Sequence, residues 1–128
     1  MVDITPLIPG NRQRIERYGA SGFTITGTVW PSSVLVRPTQ TLAWAVNSLA
    51  DLTLDSLASV LTGDIDVLLL GCGAQIGLVP PALRKAVRDR GVVLEPMDTG
   101  AACRTYNVLL AEDRRVGAAL IAVTAASR

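Results

Sequence analysis

The spacing of hydrophobic and polar residues changes character several times along this chain. From Gly22, the residues Phe23, Ile25 and Val29 alternate with Thr24, Thr26, Thr28 and Trp30. That period of two belongs to a half-buried strand, predicted over about 23–30. Pro31-Ser32 reads as a turn, and 33–37 as a second strand paired antiparallel to the first. Pro38 closes it, and 41–46 predicts a short third strand. Leu54, Leu57, Ala58 and Leu61 then fall at i, i+3, i+4 and i+7, one apolar stripe of a helix over 53–61, with Thr53 as its cap and Gly63 at its end.

In the second half, 66–70 is apolar without alternation, as strands covered on both faces are. Pro80 and Pro81 suit a helix start, and Leu83, Ala86 and Val87 its buried stripe. Arg88 and Arg90 favour that helix's C-terminus, and Gly91 the residue just past it. A strand follows at 92–95, then a helix capped by Asp98 or Thr99 and running to about Leu110, then a strand over 115–123. Residues 1–17 are polar and rich in turn formers and read as an irregular lead-in. No repeat or linker divides the chain, so one α/β domain over 1–128 is expected. Its N-terminal antiparallel hairpin and β-α-β-α-β C-terminal half would share a mixed β-sheet with helices packed on it.

Composition narrows the functions. Twelve basic and eleven acidic residues leave a net charge of +1, without the excess that nucleic-acid binding draws on. The longest apolar runs, 67–72 and 116–123, fall well short of the ~20 residues that span a bilayer. Residues 1–10 lack the apolar stretch of a secretory signal. A cytoplasmic protein is expected, not integral to a membrane, with peripheral association still open. The chain has no histidine, which excludes histidine-based triads and leaves zinc short of nitrogen and sulfur ligands. No metal or cofactor is expected, and Cys72 and Cys103 are expected as reduced thiols.

Candidate chemistry gathers at one edge. A strand–helix–strand unit makes 66–70 and 92–95 parallel, so the loops after them emerge together at the carboxyl edge, where open α/β sheets bind ligands. Gly71, Cys72 and Gly73 lie in the first loop, and Asp98 and Thr99 open the helix after the second. Arg104 follows about a turn in, with Asn107 a turn further. Together they form a candidate small-anion site of glycine backbone, helix N-terminus and one guanidinium. The structural reading of the same residues is a tight turn at the glycines, a cap at Asp98, and Arg104 paired with Asp98 or Glu95. A dinucleotide fingerprint fits poorly: Gly71, Gly73 and Gly77 are spaced G-x-G-x-x-x-G, one residue too long, and the helix starts only near Pro80. Cys103 beside Arg104 has features of an activated thiol but no histidine as base, which leaves Asp98 or Glu95 for that role, and a packed thiol is the simpler reading. A redox pair of Cys72 and Cys103 requires Cα atoms within about 7 Å. Trp30 reads either as an exposed interaction patch or as core.

The run Met97-Asp98-Thr99-Gly100-Ala101-Ala102-Cys103-Arg104-Thr105-Tyr106-Asn107 resembles the signature of a small-domain family. That family includes the mitochondrial respiratory complex I assembly factor three and uncharacterised bacterial and archaeal relatives. Gly22-Phe23, Ser33 to Val36, Trp44, Leu68 to Gly73, and Arg114 to Ile121 extend the resemblance from about Tyr18 to Ile121. The chain departs from it in having Cys72 where the family has threonine, and Pro31-Ser32 where it has a hairpin glycine. The resemblance implies a three-layer α/β fold and a role in building the NADH:quinone oxidoreductase, without an established enzymatic activity. The function expected is thus a non-catalytic assembly or adaptor protein with protein partners, among them respiratory complex I subunits. The alternative is a small-molecule or anion-binding domain at the carboxyl edge.

Overall fold

The computed structural model describes residues 12–123. A five-stranded mixed sheet forms its middle layer, in the order β5 (Gln40–Trp44), β4 (Ser33–Arg37), β8 (Val116–Leu120), β6 (Val67–Gly71), β7 (Val93–Met97). β8 pairs antiparallel with β4 and parallel with β6, and β6 is parallel to β7 as the crossover rule requires. Strand periodicity assigns the two faces. Val34, Val36, Leu69, Ala118 and Leu120 point to one core, and Leu35, Leu68, Leu70, Ala119 and Ile121 to the other. The first core is closed by α2 (Thr99–Ala111) and by a second sheet. The other is closed by α1 (Pro81–Asp89) and the segment around Leu57 and Val60. This is the three-layer α/β fold expected.

Several elements differ from the sequence reading. The predicted strand over 23–30 is two strands, β2 (Gly22–Ile25) and β3 (Thr28–Trp30), folded back at Thr26-Gly27. Both turn residues have positive φ, 46° and 83°, the mark of a type I′ hairpin. A β-branched residue resists that conformation; Thr26 is held there because its Oγ1 accepts from Arg14 N at 2.8 Å. The second part of the expected lead-in is also a strand, β1 (Ile15–Gly19), paired antiparallel with β2. Residues 1–11 of that lead-in lie outside the described residues. The three strands form their own sheet, β1-β2-β3, so β4 pairs with β5 and β8 rather than with the first strand. Pro31-Ser32 is consequently the link between two sheets and not a hairpin turn.

The helix expected over 53–61 shrinks to a single 3₁₀ turn at Asp55–Leu57 followed by turns. Leu54, not Thr53, is the residue at its cap, and Thr53 lies one residue ahead, its Oγ1 accepting from Ser56 N at 3.1 Å. Continuing as an α-helix would need Val60 N to bond to Ser56 O. That carbonyl instead accepts from the buried Trp44 indole at 2.8 Å, and Val60 N turns to Leu57 O at 3.0 Å. Leu57 and Val60 are still fully buried, so the stripe serves the core without the helix. Both α-helices fall where the sequence places them, α1 with Pro at its first turn and Gly91 at φ 81° beyond its end.

Candidate functional site

At the carboxyl edge, three chain segments meet on one side chain. Thr99, fully buried at the start of α2, donates from Oγ1 to Ile121 O at 2.7 Å and accepts from Gly73 N at 2.9 Å. Its own N–H donates to Gly73 O at 2.9 Å. Cys72 N donates to Met97 O and Ile121 N to Gly71 O, so the ends of β6, β7 and β8 and the start of α2 are tied together. Gly71 is needed for closeness, since a Cβ there would lie 2.9 Å from Thr99 Oγ1 and 3.0 Å from Leu120 Cδ2. Asp98 caps α2, its Oδ1 accepting from Ala101 N at 2.9 Å. The backbone N–H groups of Gly73, Thr99 and Ala101 are therefore engaged by the protein itself. The neighbouring depression, about 270 Å³ beside Asn47, Leu49, Cys72 and Gln75, has no charged side chain among the described residues that line it.

Gly71, Cys72, Gly73, Asp98 and Thr99 are thus brought together, whereas Arg104 and Asn107 face elsewhere, toward β1. Asn107 grips the backbone of Ile15 from both sides, Nδ2 donating to Ile15 O at 2.7 Å and Oδ1 accepting from Ile15 N at 3.0 Å. This clamp satisfies an edge-strand residue that would otherwise face α2 unpaired. Arg104 is exposed and, among the described residues, makes no ion pair, so the expected pairing with Asp98 or Glu95 does not form. One guanidinium nitrogen lies close to Gly100, and the hydroxyl of Tyr18 sits where a Cβ of Gly100 would be. A small cleft of about 190 Å³ runs between Ile15–Tyr18 and the Cys103–Asn107 turn of α2. Nothing in the local sequence pattern places Tyr18 at this site. The available signal was Gly100 itself, a weak helix former in the first turn of a helix, which marks close approach by another group.

The thiols lie on opposite faces of the central sheet: Cys103 in the core under α2, Cys72 against the core on the α1 side. Both are free, and no redox pair is formed. Burial pushes the Cys103 thiol up to about 12, against the smaller opposing pull of Arg104. Burial also raises Cys72, which is only half-buried. At pH 8 an aromatic disulfide reagent should modify Cys72 in the native protein and Cys103 at least ~100-fold more slowly, because the thiolate is the reacting form. Peptide mass mapping with and without urea checks the order. Equal labelling of both in the native state would contradict the packed-thiol reading. Trp30 resolves as a half-buried residue against the α2-side core, its Nε1 buried without a hydrogen-bond partner among the described residues.

Comparison with known proteins places these features. Residues 15–121 match the model of a family described as a protein of unknown function (DUF498/DUF598). An uncharacterized protein of Rhodobacter capsulatus is 40% identical over 109 residues, which cover 84% of this chain and 82% of the relative. The NADH dehydrogenase (ubiquinone) 1 alpha subcomplex assembly factor 3 of Xenopus tropicalis is 38% identical over 109 residues, 84% of this chain but 60% of its own length. Among solved structures, a Bordetella pertussis protein with a Mth938-like domain aligns at a TM-score of 0.79 and 25% identity, covering 98% of this chain and 96% of its own.

Proposed function

Since the chain belongs to the DUF498/DUF598 family, we propose that it is a non-catalytic assembly or adaptor protein, cytoplasmic, that takes part in building the respiratory NADH dehydrogenase. The observation that carries this reading is the 38% identity with assembly factor 3 of Xenopus tropicalis across most of this chain. The geometry of the signature supports it. Asp98, Thr99 and Asn107 are committed to caps and backbone clamps, and Cys103 is held protonated in the core. Arg104 is the signature's charged group without an ion pair among the described residues, and it stands beside Tyr18, which is 44% exposed. Tyrosine and arginine are enriched among residues that dominate protein interfaces. Arg104 and Tyr18 are accordingly the proposed partner contact.

The test is affinity capture of the full chain from cells that carry the NADH dehydrogenase. Wild type should retain its subunits, and Arg104→Ala should recover at least ~10-fold less at an unchanged melting temperature, as loss of an interface anchor does. Capture of no NADH dehydrogenase subunit by wild type would overturn the reading. Equal capture by the variant would remove Arg104 from the contact.

A further inference from the structure

Seventeen consecutive residues, 67–83, carry no charge. The first five form β6, buried except for the half-buried Val67, whereas the loop over 74–80 is half-buried or exposed throughout. Gly77 packs its backbone on Leu49, whose Cδ1 occupies the place a Cβ would take. Anchoring the loop at that glycine turns its neighbours outward: Ile76 is 65% exposed and Leu78 96%. Gln75 is the one polar side chain between Ala74 and Pro81. The loop therefore holds two aliphatic tips in water on a fixed support, which burial of apolar area opposes.

The next element supplies charge. Starting at Pro81, α1 carries Arg84, Lys85 and Arg88 on exposed positions, with Arg90 just past its end and Asp89 as the only carboxylate. Asp89 is taken by Lys85 at 3.1 Å, and Arg84, Arg88 and Arg90 make no ion pair among the described residues. At 1.5 Å per residue, Arg84 lies about 5 Å and Arg88 about 10 Å along the helix from the loop's end, within a Debye length or so at physiological salt. A nearly neutral protein thus concentrates cations that have no ion pair among the described residues behind an uncharged apolar tip.

We propose that this tip and helix form a docking surface for an anionic lipid bilayer, with Ile76 and Leu78 inserted shallowly at the headgroup–acyl boundary and Arg84 and Arg88 on acidic headgroups. Charge complementarity and an apolar wedge are the two signals that reversible membrane attachment needs together. A protein partner fits less well. Residues 45–105 contain no aromatic side chain, and a projecting aliphatic tip lacks the tryptophan and tyrosine that anchor protein interfaces. The inference does not rest on the assembly reading, since it uses neither Arg104 nor any partner protein.

Co-sedimentation of the purified full chain with protein-free vesicles tests it separately from that reading. Binding to phosphatidylcholine vesicles with one quarter phosphatidylglycerol should exceed binding to pure phosphatidylcholine by about tenfold, and fall on raising the salt. Ile76→Ser with Leu78→Ser should lose at least about tenfold on the anionic vesicles, and Arg84→Gln with Arg88→Gln should lose the preference for them. All four positions are wholly or largely exposed, so thermal melts should match wild type. No sedimentation of wild type with anionic vesicles at millimolar lipid would overturn the proposal, as would binding unchanged by the double serine variant. Loss of NADH dehydrogenase capture in that variant, with no vesicle binding by wild type, would make the loop a protein contact instead.

Discussion

Replacing Thr99 by valine should lower the stability of the protein by about 3 kcal/mol while leaving its shape almost unaltered. The substitution removes the hydroxyl between Gly73 N and Ile121 O, both inside the buried knot at the end of the sheet. Each orphaned buried group costs roughly 1–3 kcal/mol, and the methyl groups of valine satisfy neither. Thr99→Ser is the informative control: it keeps the hydroxyl, gives up one buried methyl, and should cost about 1 kcal/mol. Urea denaturation separates the two. The valine variant should show a lower midpoint at an unchanged slope, as a pure stability change does. A valine loss no larger than that of serine would mean that solvent or a shifted backbone satisfies both groups, and the knot would not be what joins the loop to α2.

This knot shows where sequence reasoning stops. Gly71, Cys72, Gly73, Asp98 and Thr99 were brought to one edge by a topological rule alone, since parallel strands joined by a helix present their following loops on the same side. The rule says nothing of what those groups do once together. Whether Thr99 Oγ1 faces a ligand or Ile121 O depends on the residue just after β8, twenty-two residues further along the chain. Arg104 and Asn107 left the set for a similar reason. They are at helical spacing from Thr99, yet they face β1, a strand whose sequence of one isoleucine, one tyrosine and three charged or glycine residues has too weak a period to be seen. The α-helices were legible because proline, glycine and cap residues act locally. The 3₁₀ turn at Asp55–Leu57 was not, because a tryptophan eleven residues before that turn claims the carbonyl that a longer helix would use.

Gly22→Ala should destabilise the protein by about 3 kcal/mol or more, and Gly27→Ala by about 1 kcal/mol, although both glycines have positive φ. Gly27 sits at φ 83° in the β2–β3 turn with nothing among the described residues within 4 Å of where a Cβ would be. Its alanine variant meets only the backbone strain of that region, on the order of 1 kcal/mol. Gly22 combines a comparable strain, at φ 112°, with a collision: its Cβ would overlap the carbonyl oxygen of Trp30 and lie 2.9 Å from Pro31 Cα. Neither obstacle is a movable side-chain end. Trp30 and Pro31 are the backbone by which the chain leaves the three-stranded sheet for β4, so relief requires parting β3 from β2 or shifting the link between sheets. Clashes that must move packed backbone commonly exceed the strain alone by a further 1–3 kcal/mol. Thermal unfolding of the pair isolates that second contribution, since the positive-φ penalty is common to both. Equal losses would mean that the crossing at Gly22 relaxes freely, and that this glycine serves the turn rather than the contact between the two sheets.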